Sequence, residues 1–396
     1  MSQHPFPMSA PHQKPSIPEI SSLRKREGFV WLDSSLGTPG GISLMATEPD
    51  LILEGGASEW HRIESALEAR KRPASCSEMP NGAAIGYFRF DGSFRFGFYD
   101  HLEIGNSKEF SPEESSLDIP LPSLDFKSDM GRDEYVRIVR RAKEYIAAGD
   151  IYQVCLAHRF STKFASDPWP LYLALRRSSP APHAAYLSLG DETILSSSPE
   201  CFLKMSGRKI STRPIKGTRP RRDENTADEK EALELRSSPK EIAELIMITD
   251  LERNDLGSVC EYGTVTAPRL VELERYAQVF HLVSTVEGTL REEVSHVAAV
   301  AACFPGGSIS GAPKKRALEI IRELEPTPRG LFTGAIGYFG YNGESQFNIA
   351  IRTLVIRDTV AEFHVGAGIT ADSDPEKEWE ETLHKAAGIL NAARSF

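Results

Sequence analysis

The chain has 396 residues, 40% of them hydrophobic and 26% charged, with 30 Gly and 26 Pro. That is long enough to bury a large core, and the composition excludes collagen, coiled coil and wholesale disorder. A formal charge of -10, with no basic stretch interleaved with aromatics, argues against nucleic acid as a partner.

Residues 1–27, with Pro5, Pro7, Pro11, Pro15 and Pro18 among polar residues, read as a disordered arm. From residue 28 to 110 short β-like pieces dominate, among them Gly28-Phe-Val-Trp-Leu32 and Ile85-Gly-Tyr-Phe-Arg-Phe90, with Asp91-Gly92 as a hairpin turn. An acidic Ser- and Pro-bearing stretch over 111–127 reads as a linker. A larger region, 128–396, follows. It opens with one amphipathic helix, because Tyr135, Ile138, Val139, Ala142, Tyr145 and Ile146 share a face, with Ser128 and Asp129 as cap candidates and Gly149 as the stop. Hairpins turning at Gly190-Asp191 and Ser206-Gly207 are expected over 184–213, and a meander turning at Asn342-Gly343 and Arg357-Asp358 over 332–366. Helices are expected near 237–252, 312–324 and 376–394. Strands and helices in this order give an α+β class with antiparallel sheet.

Five scattered cysteines (Cys76, Cys155, Cys201, Cys260, Cys303) lack C-x-x-C spacing, so reduced thiols in a cytoplasmic setting are expected. Apolar runs fall well short of the roughly 20 residues of a membrane helix, and the N-terminus has no signal-like pattern. The chain reads as neither membrane-spanning nor secreted.

Two carboxylate pairs stand at i, i+3: Glu241 with Glu244, and Glu378 with Glu381. Each pair projects from one helix face, and facing pairs in a cleft would suit a hard cation such as Mg²⁺. The competing reading is a solvated acidic face, with Ser238-Pro-Lys-Glu241 a capping box. Lys216, in Arg213-Pro-Ile-Lys-Gly-Thr-Arg219, is bracketed by Pro and Gly and so is a candidate held amine; most lysines at strand ends are simply solvated. Gly366-Ala367-Gly368 is expected after the last strand, where backbone N–H groups could face an anion. Arg352 is expected within a buried strand, either binding a carboxylate ligand or paired internally. Phe304-Pro-Gly-Gly-Ser-Ile-Ser-Gly311 lacks the Gly-Lys-Ser/Thr of a phosphate loop, so no nucleotide site is read there. His281, flanked by apolar residues, fits an ordinary interior histidine.

Taken in order, several segments resemble the chorismate-binding family: Gly149-Asp-Ile-Tyr-Gln-Val154, Ser198-Pro-Glu200, Pro214-Ile-Lys-Gly-Thr-Arg219, Asp250-Leu-Glu-Arg-Asn-Asp-Leu-Gly257, His281-Leu-Val-Ser284, Phe304-Pro-Gly-Gly307, Ala350-Ile-Arg-Thr353, Gly366-Ala-Gly-Ile369 and Glu378-Trp-Glu-Glu-Thr382 through Lys385. The resemblance is dense over about 128–394 and loose before it. It implies a four-layer α/β/β/α arrangement of two packed antiparallel sheets, like that of anthranilate synthase component I, around a Mg²⁺-chorismate site.

The resemblance implies that Glu244 and Glu381 ligate the metal with Glu241 and Glu378 supporting them. Arg352, Lys385 and the backbone of Gly366, Ala367 and Gly368 would hold substrate carboxylates, with Gln153, Thr218 and Ser308 completing the substrate contacts. His281 would lie near the departing hydroxyl, and Glu200 would protonate it. Family members that add water carry a lysine base where this chain has Gln153, which cannot take a proton from water. Anthranilate synthases typically have alanine where Lys216 stands; the aminodeoxychorismate branch has lysine, implying amination at ring carbon 4 through a covalent lysine adduct. Anthranilate formation is the runner-up, and a silent chorismate-binding scaffold the alternative of another class. Cys155, Ser258 and Phe332 depart from residues common in the family. No glutaminase-like segment is seen, so ammonia is expected free or from a separate glutamine amidotransferase subunit, and a separate lyase would make 4-aminobenzoate for folate synthesis. The Leu-Leu-Glu-Ser element tied to tryptophan inhibition is missing.

Overall fold

The computed structural model describes residues 20, 22–36, 42–74, 78–106, 124–276 and 279–394. Most of the arm expected over 1–27 and most of the linker expected over 111–127 lie outside the described residues. The arm's last residues are packed: Ile20 is fully buried against the Trp31 and Trp169 cluster, and Arg24 pairs with Asp167 at 2.8 Å.

Among the described residues two ten-stranded sheets, with every strand pair antiparallel, form the body; nine strands of each follow one path, while Lys127–Ser128 pairs off it with Gln153–Lys163 in the first and Thr266–Arg275 with Val279–Thr289 in the second. The first runs Gly311–Ala312, Gln153–Lys163, Val360–Ile369, Thr353–Arg357, Glu192–Ser198, His183–Leu189, Val30–Asp33, Ile42–Ala46, Glu103–Asn106. The second runs Ile215–Pro220, Val279–Thr289, Lys209–Arg213, Cys201–Ser206, Glu344–Ile349, Ala335–Gly340, Ala83–Phe88, Phe94–Tyr99, Leu51–Gly55. Strands from the N-terminal part are thus dealt to both sheets. Alternation along them places Val30, Leu187 and Ile194 of the first sheet against Ile85, Tyr87 and Tyr338 of the second, forming the dry layer between.

The outer faces are covered by helices. Trp169, Leu171, Ala386 and Ile389, from helices Pro168–Ser178 and Pro375–Arg394, bury the first sheet's aromatic face; Arg132–Ala147 and Lys314–Leu324 cover its other end. Trp60–Glu68 and His296–Cys303 cover the Phe88, Phe94 and Phe96 face of the second sheet, beside Asn225–Arg236 and Pro239–Gly257. Each large side chain removed from water here contributes about 1.5–3 kcal/mol. The four layers expected from the resemblance are present. Among the described residues no helix is long and apolar enough to cross a membrane, and Cys155, Cys201, Cys260 and Cys303 are buried and unpaired.

Two local expectations need correction. The meander over 332–366 is two hairpins in different sheets: Ala335–Gly340 with Glu344–Ile349 in the second, and Thr353–Arg357 with Val360–Ile369 in the first. The hairpins expected over 184–213 both form, 183–198 in the first sheet and 201–213 in the second. The 132–147 helix starts after Gly131, not at Ser128 or Asp129. Ser128 Oγ is engaged by His158 at 2.8 Å, and Asp129 accepts the Arg159 N–H at 2.9 Å, so neither side chain is free to cap.

Candidate active site

Because each pair of hairpins changes sheet, the chain crosses between the layers at Pro199–Glu200 and again at Ala350–Arg352. The crossings run side by side and are tied together. Ser197 N–H donates to Arg352 O at 3.0 Å, Ile349 N–H to Glu200 O at 3.1 Å, and Ser198 Oγ to Ile349 O at 2.6 Å. Arg352 is therefore not within a strand, as expected, but at the turn out of one, with φ of 50°. That left-handed backbone costs an arginine about 1–3 kcal/mol and persists because the crossing bonds fix it.

Glu200 is 6% exposed, and burial raises its pKa against the opposing effects of Ser308, Lys216, the Ile215 N–H and Lys385. A carboxyl so placed holds its proton longer than a surface one. The Arg352 guanidinium has no carboxylate partner among the described residues, and burial alone lowers its pKa. The internal ion pair weighed for it is absent, so a desolvated cation stands ready for an anionic ligand.

Lys216 lies on Ile215–Pro220, the edge strand of the second sheet, just after Pro214. Gly217 follows with φ of 74°, and a Cβ there would meet Leu235 Cδ1 at 2.7 Å and Glu241 Oε2 at 3.1 Å. Only glycine lets the strand pass so close to the neighbouring helices. Across the gap stands Gly368 of the first sheet. A Cβ on Gly368 would lie 2.5 Å from Gln153 Nε2 and 3.8 Å from Lys216 Nζ. The amine, the amide of the buried Gln153 and this bare stretch of backbone thus converge, and among the described residues Lys216 donates no hydrogen bond and forms no ion pair.

Gly366, Ala367 and Gly368 lie inside the Val360–Ile369 strand, not after it. They pair with Ala157, Leu156 and Cys155 on one side, but the strand on the other side stops at Leu354, opposite Phe363. That edge is open. Gly366 O accepts Lys385 Nζ at 2.9 Å, and since N–H and C=O of one residue face the same side in an antiparallel ladder, the N–H groups of Gly366 and Gly368 face that open edge.

The helices Pro239–Gly257 and Pro375–Arg394 bring their carboxylates to the same rim. Burial raises Glu244, with Lys216 and Lys240 opposing and Glu241 and Glu381 reinforcing; burial likewise raises Glu378, which is 4% exposed. Burial would raise Glu381 too, but Lys385, paired with it at 2.7 Å, leads the groups that hold it low. Ser238 Oγ accepts the Glu241 N–H at 3.4 Å, while the Glu241 carboxylate turns toward Gly217 and lies 3.9 Å from Arg219. Among the described residues no three His, Cys, Asp or Glu side chains form a ready metal cage.

His281 is 4% exposed, faces Thr218 Oγ1 through Nδ1 at 3.0 Å, and burial together with Arg352 lowers its pKa to about 4, so it is neutral at physiological pH. Ser308 is 7% exposed beside Glu200, although its hydroxyl makes no hydrogen bond of normal geometry. The Ser308 loop is clamped by Arg329, which pairs with Glu325 at 2.6 Å and donates to Ile309 O at 3.2 Å and Cys155 O at 2.8 Å. Arg329 and Glu325 gave no periodic signal in the sequence. Glu252, 2% exposed, was also missed as a distinct group. It sits inside the Asp250–Gly257 motif, between Leu251 and Arg253, where nothing in the local sequence sets it apart from a surface carboxylate.

Residues 99–391 match the family profile described as chorismate binding enzyme. The chain belongs to the chorismate-binding enzyme family. It is 46% identical to anthranilate synthase component 1 of Synechocystis sp. over 69% of this chain and 56% of that protein. To aminodeoxychorismate synthase component 1 of Bacillus subtilis it is 43% identical over 72% of this chain and 59% of that one. The chain therefore matches little more than half the length of these relatives. An anthranilate synthase component I-like protein of Synechocystis sp. is 46% identical over 98% of this chain and 85% of its own length. Among solved structures, anthranilate synthase component I from Streptococcus pneumoniae TIGR4 superposes with a TM-score of 0.77 at 28% identity, covering 89% of this chain and 92% of that one. In this chorismate-binding fold, Lys216 of strand Ile215–Pro220 faces Gln153 and Gly368 of the first sheet.

Proposed function

We propose that the chain is component I of an aminodeoxychorismate synthase, aminating chorismate at ring carbon 4. The observation that carries this reading is the Lys216 amine, beside Gln153 and Gly368 and in electrostatic reach of Glu200. Overall identity does not choose among the family's reactions, since relatives of both names match almost equally. Lysine at position 216 supports amination at carbon 4, because it supplies a nucleophile that alanine there would not.

In the first half-reaction the Lys216 amine forms a bond to ring carbon 2 through its lone pair. The ring double bonds shift, and the carbon–oxygen bond at carbon 4 breaks as Glu200 gives its proton to the departing hydroxyl, which leaves as water. Ammonia then bonds to carbon 4, the double bonds shift back, and the Lys216–carbon 2 bond breaks to return the amine; the ammonia's surplus proton restores Glu200. Arg352 and the Gly366 and Gly368 N–H groups orient the substrate carboxylates, and Gln153, unable to act as a base, leaves water inactive. Thr218, Ser308 and neutral His281 line the hydroxyl side.

The donor set at the rim is all carboxylate oxygen, and burial, reinforced by the neighbouring carboxylates, raises Glu244 and Glu378, a cost that a bound divalent cation would offset. Mg²⁺ needs few protein ligands, so Glu244 and Glu381 suffice, with Glu241 and Glu378 supporting them. When bound it would neutralise substrate carboxylate charge. Lys385, paired with Glu381 in the structure, would pass to the substrate. Ammonia would come free or from a separate glutamine amidotransferase, and a separate lyase would convert the product to 4-aminobenzoate for folate synthesis.

Incubation with chorismate, ammonium and Mg²⁺ tests the reading. The expected product is 4-amino-4-deoxychorismate; fluorescent anthranilate formed without any lyase would overturn it.

A further inference from the structure

Behind Glu200 stands a carboxyl that the reaction above does not use. Glu252, on the Pro239–Gly257 helix, is 2% exposed. Its Oε1 accepts the Gly307 N–H at 3.0 Å, while Oε2 is buried with no hydrogen-bond partner among the described residues. Gly307 opens the tight turn Gly307–Ile309, and a Cβ on it would stand 2.7 Å from Leu251 Cδ2 and 3.1 Å from Glu252 Oε1. The turn is thus seated directly on Leu251 and Glu252. The next residue, Ser308, carries a buried hydroxyl beside Glu200 that acts on its carboxyl, although it makes no hydrogen bond of normal geometry. Glu252, Gly307, Ser308 and Glu200 form one continuous line.

We propose that Glu252 is a positioning residue for Glu200: as an uncharged acid it holds the Gly307–Ile309 turn so that Ser308 stays against Glu200, and its ionisation weakens Glu200 as a proton donor. This rests on the reading of Glu200 as the acid that expels the hydroxyl.

The groups facing Glu252 are Asp255 on its own helix, Lys314 on the Lys314–Leu324 helix, Glu200 at the crossing and Cys303 at the end of the His296–Cys303 helix. Lys314 does not neutralise it, being held by Asp255 at 2.6 Å and Cys303 O at 2.8 Å. Burial first, then the charge of Asp255, with Glu200 adding to it, raises Glu252 to about 8, against Lys314 and the Gly307 N–H. Below that pH the carboxyl is neutral. Above it the proton goes to solvent, and a second negative charge makes Glu200 hold its own proton more tightly, slowing delivery.

Glu252→Gln keeps an oxygen for the Gly307 N–H and cannot ionise. With chorismate consumption as the readout, the ratio of its kcat to that of the wild type is expected within about twofold of unity at pH 7, rising to roughly fivefold by pH 9.5. The ionisation of free ammonia is the same in both assays and cancels in the ratio. Thermal stability gives a readout independent of turnover. A folded-state value raised above the unfolded 4.5 means stability fully present below 4.5 and lost as pH rises through about 8, so Glu252→Gln should melt higher than the wild type at pH 9, with the gap closing toward pH 5. Glu252→Ala, lacking the acceptor, should lose at least about tenfold in kcat at pH 7. A kcat ratio or a melting gap that stays flat with pH overturns the proposal, as does wild-type kcat in Glu252→Ala. Because hydroxyl loss is read whatever the product, a wild type that makes anthranilate refutes carbon-4 amination and leaves this test in force.

Discussion

At the two chain crossings, Glu200 and Arg352 ride on backbone fixed from both sides, by Ser197 N–H to Arg352 O and Ile349 N–H to Glu200 O. On the rim helices, Glu381 and Lys385 are 47% and 44% exposed and form an ion pair with each other, Lys385 also donating to Gly366 O. The crossings hold desolvated groups in place; the rim holds exchangeable charge. Groups that make and break bonds need fixed geometry, whereas groups that admit an ion and a dianion need to trade partners.

That division predicts a graded set of losses. Lys216→Ala should slow carbon-4 amination by at least about 10³-fold with chorismate affinity little changed; a loss under tenfold would move the chemistry away from the amine. Glu200→Gln should cost about 10²–10⁴-fold in kcat at nearly constant KM, and an equal effect on KM would make Glu200 a binding group. Glu244→Gln or Glu381→Gln should instead raise the Mg²⁺ concentration for half-maximal rate by roughly tenfold, with most of kcat restored at high Mg²⁺. Failure of Mg²⁺ to rescue either would erase the contrast between rim and crossing. Arg352→Lys, which keeps charge but loses the planar fork, should raise the chorismate KM by about tenfold.

The smallest effect concerns stability. Burial leads the lowering of His281, His158 and His183 to about 4, so the unfolded chain takes up protons that the folded chain refuses between pH 6.5 and 4. Stability from these groups is complete above 6.5 and declines as pH falls through that window. A melting-temperature difference between the wild type and a His158→Asn variant that stays constant from pH 7 to 5 would contradict their dry surroundings.

The same division separates what was legible in the sequence from what was not. The Glu241/Glu244 and Glu378/Glu381 pairs announce themselves because a helix repeats every 3.6 residues, and Lys216 does because Pro214 and Gly217 bracket it. The crossings are silent. Alternation within the 335–349 and 353–369 hairpins marks them as strands but says nothing about which sheet each joins, and the positive φ at position 352 falls on arginine, where no glycine signals it. Helix Pro168–Ser178 was passed over although Asp167 accepts the Trp169 N–H at 3.1 Å and Pro168 starts the first turn, a cap readable from sequence. His296–Cys303 is apolar on nearly all sides and has no periodic stripe to read. Arg329 with Glu325, and Glu252 with Gly307, act through partners distant along the chain, which only the folded arrangement reveals.

Covalent attachment to one lysine is the claim on which the reading turns. Intact-mass analysis of protein quenched with chorismate and Mg²⁺ in the absence of ammonia, followed by peptide mapping, tests it most directly. The account predicts a gain equal to chorismate less one water, located on Lys216 and discharged by ammonium. No adduct on that lysine under conditions where the enzyme turns over would contradict it.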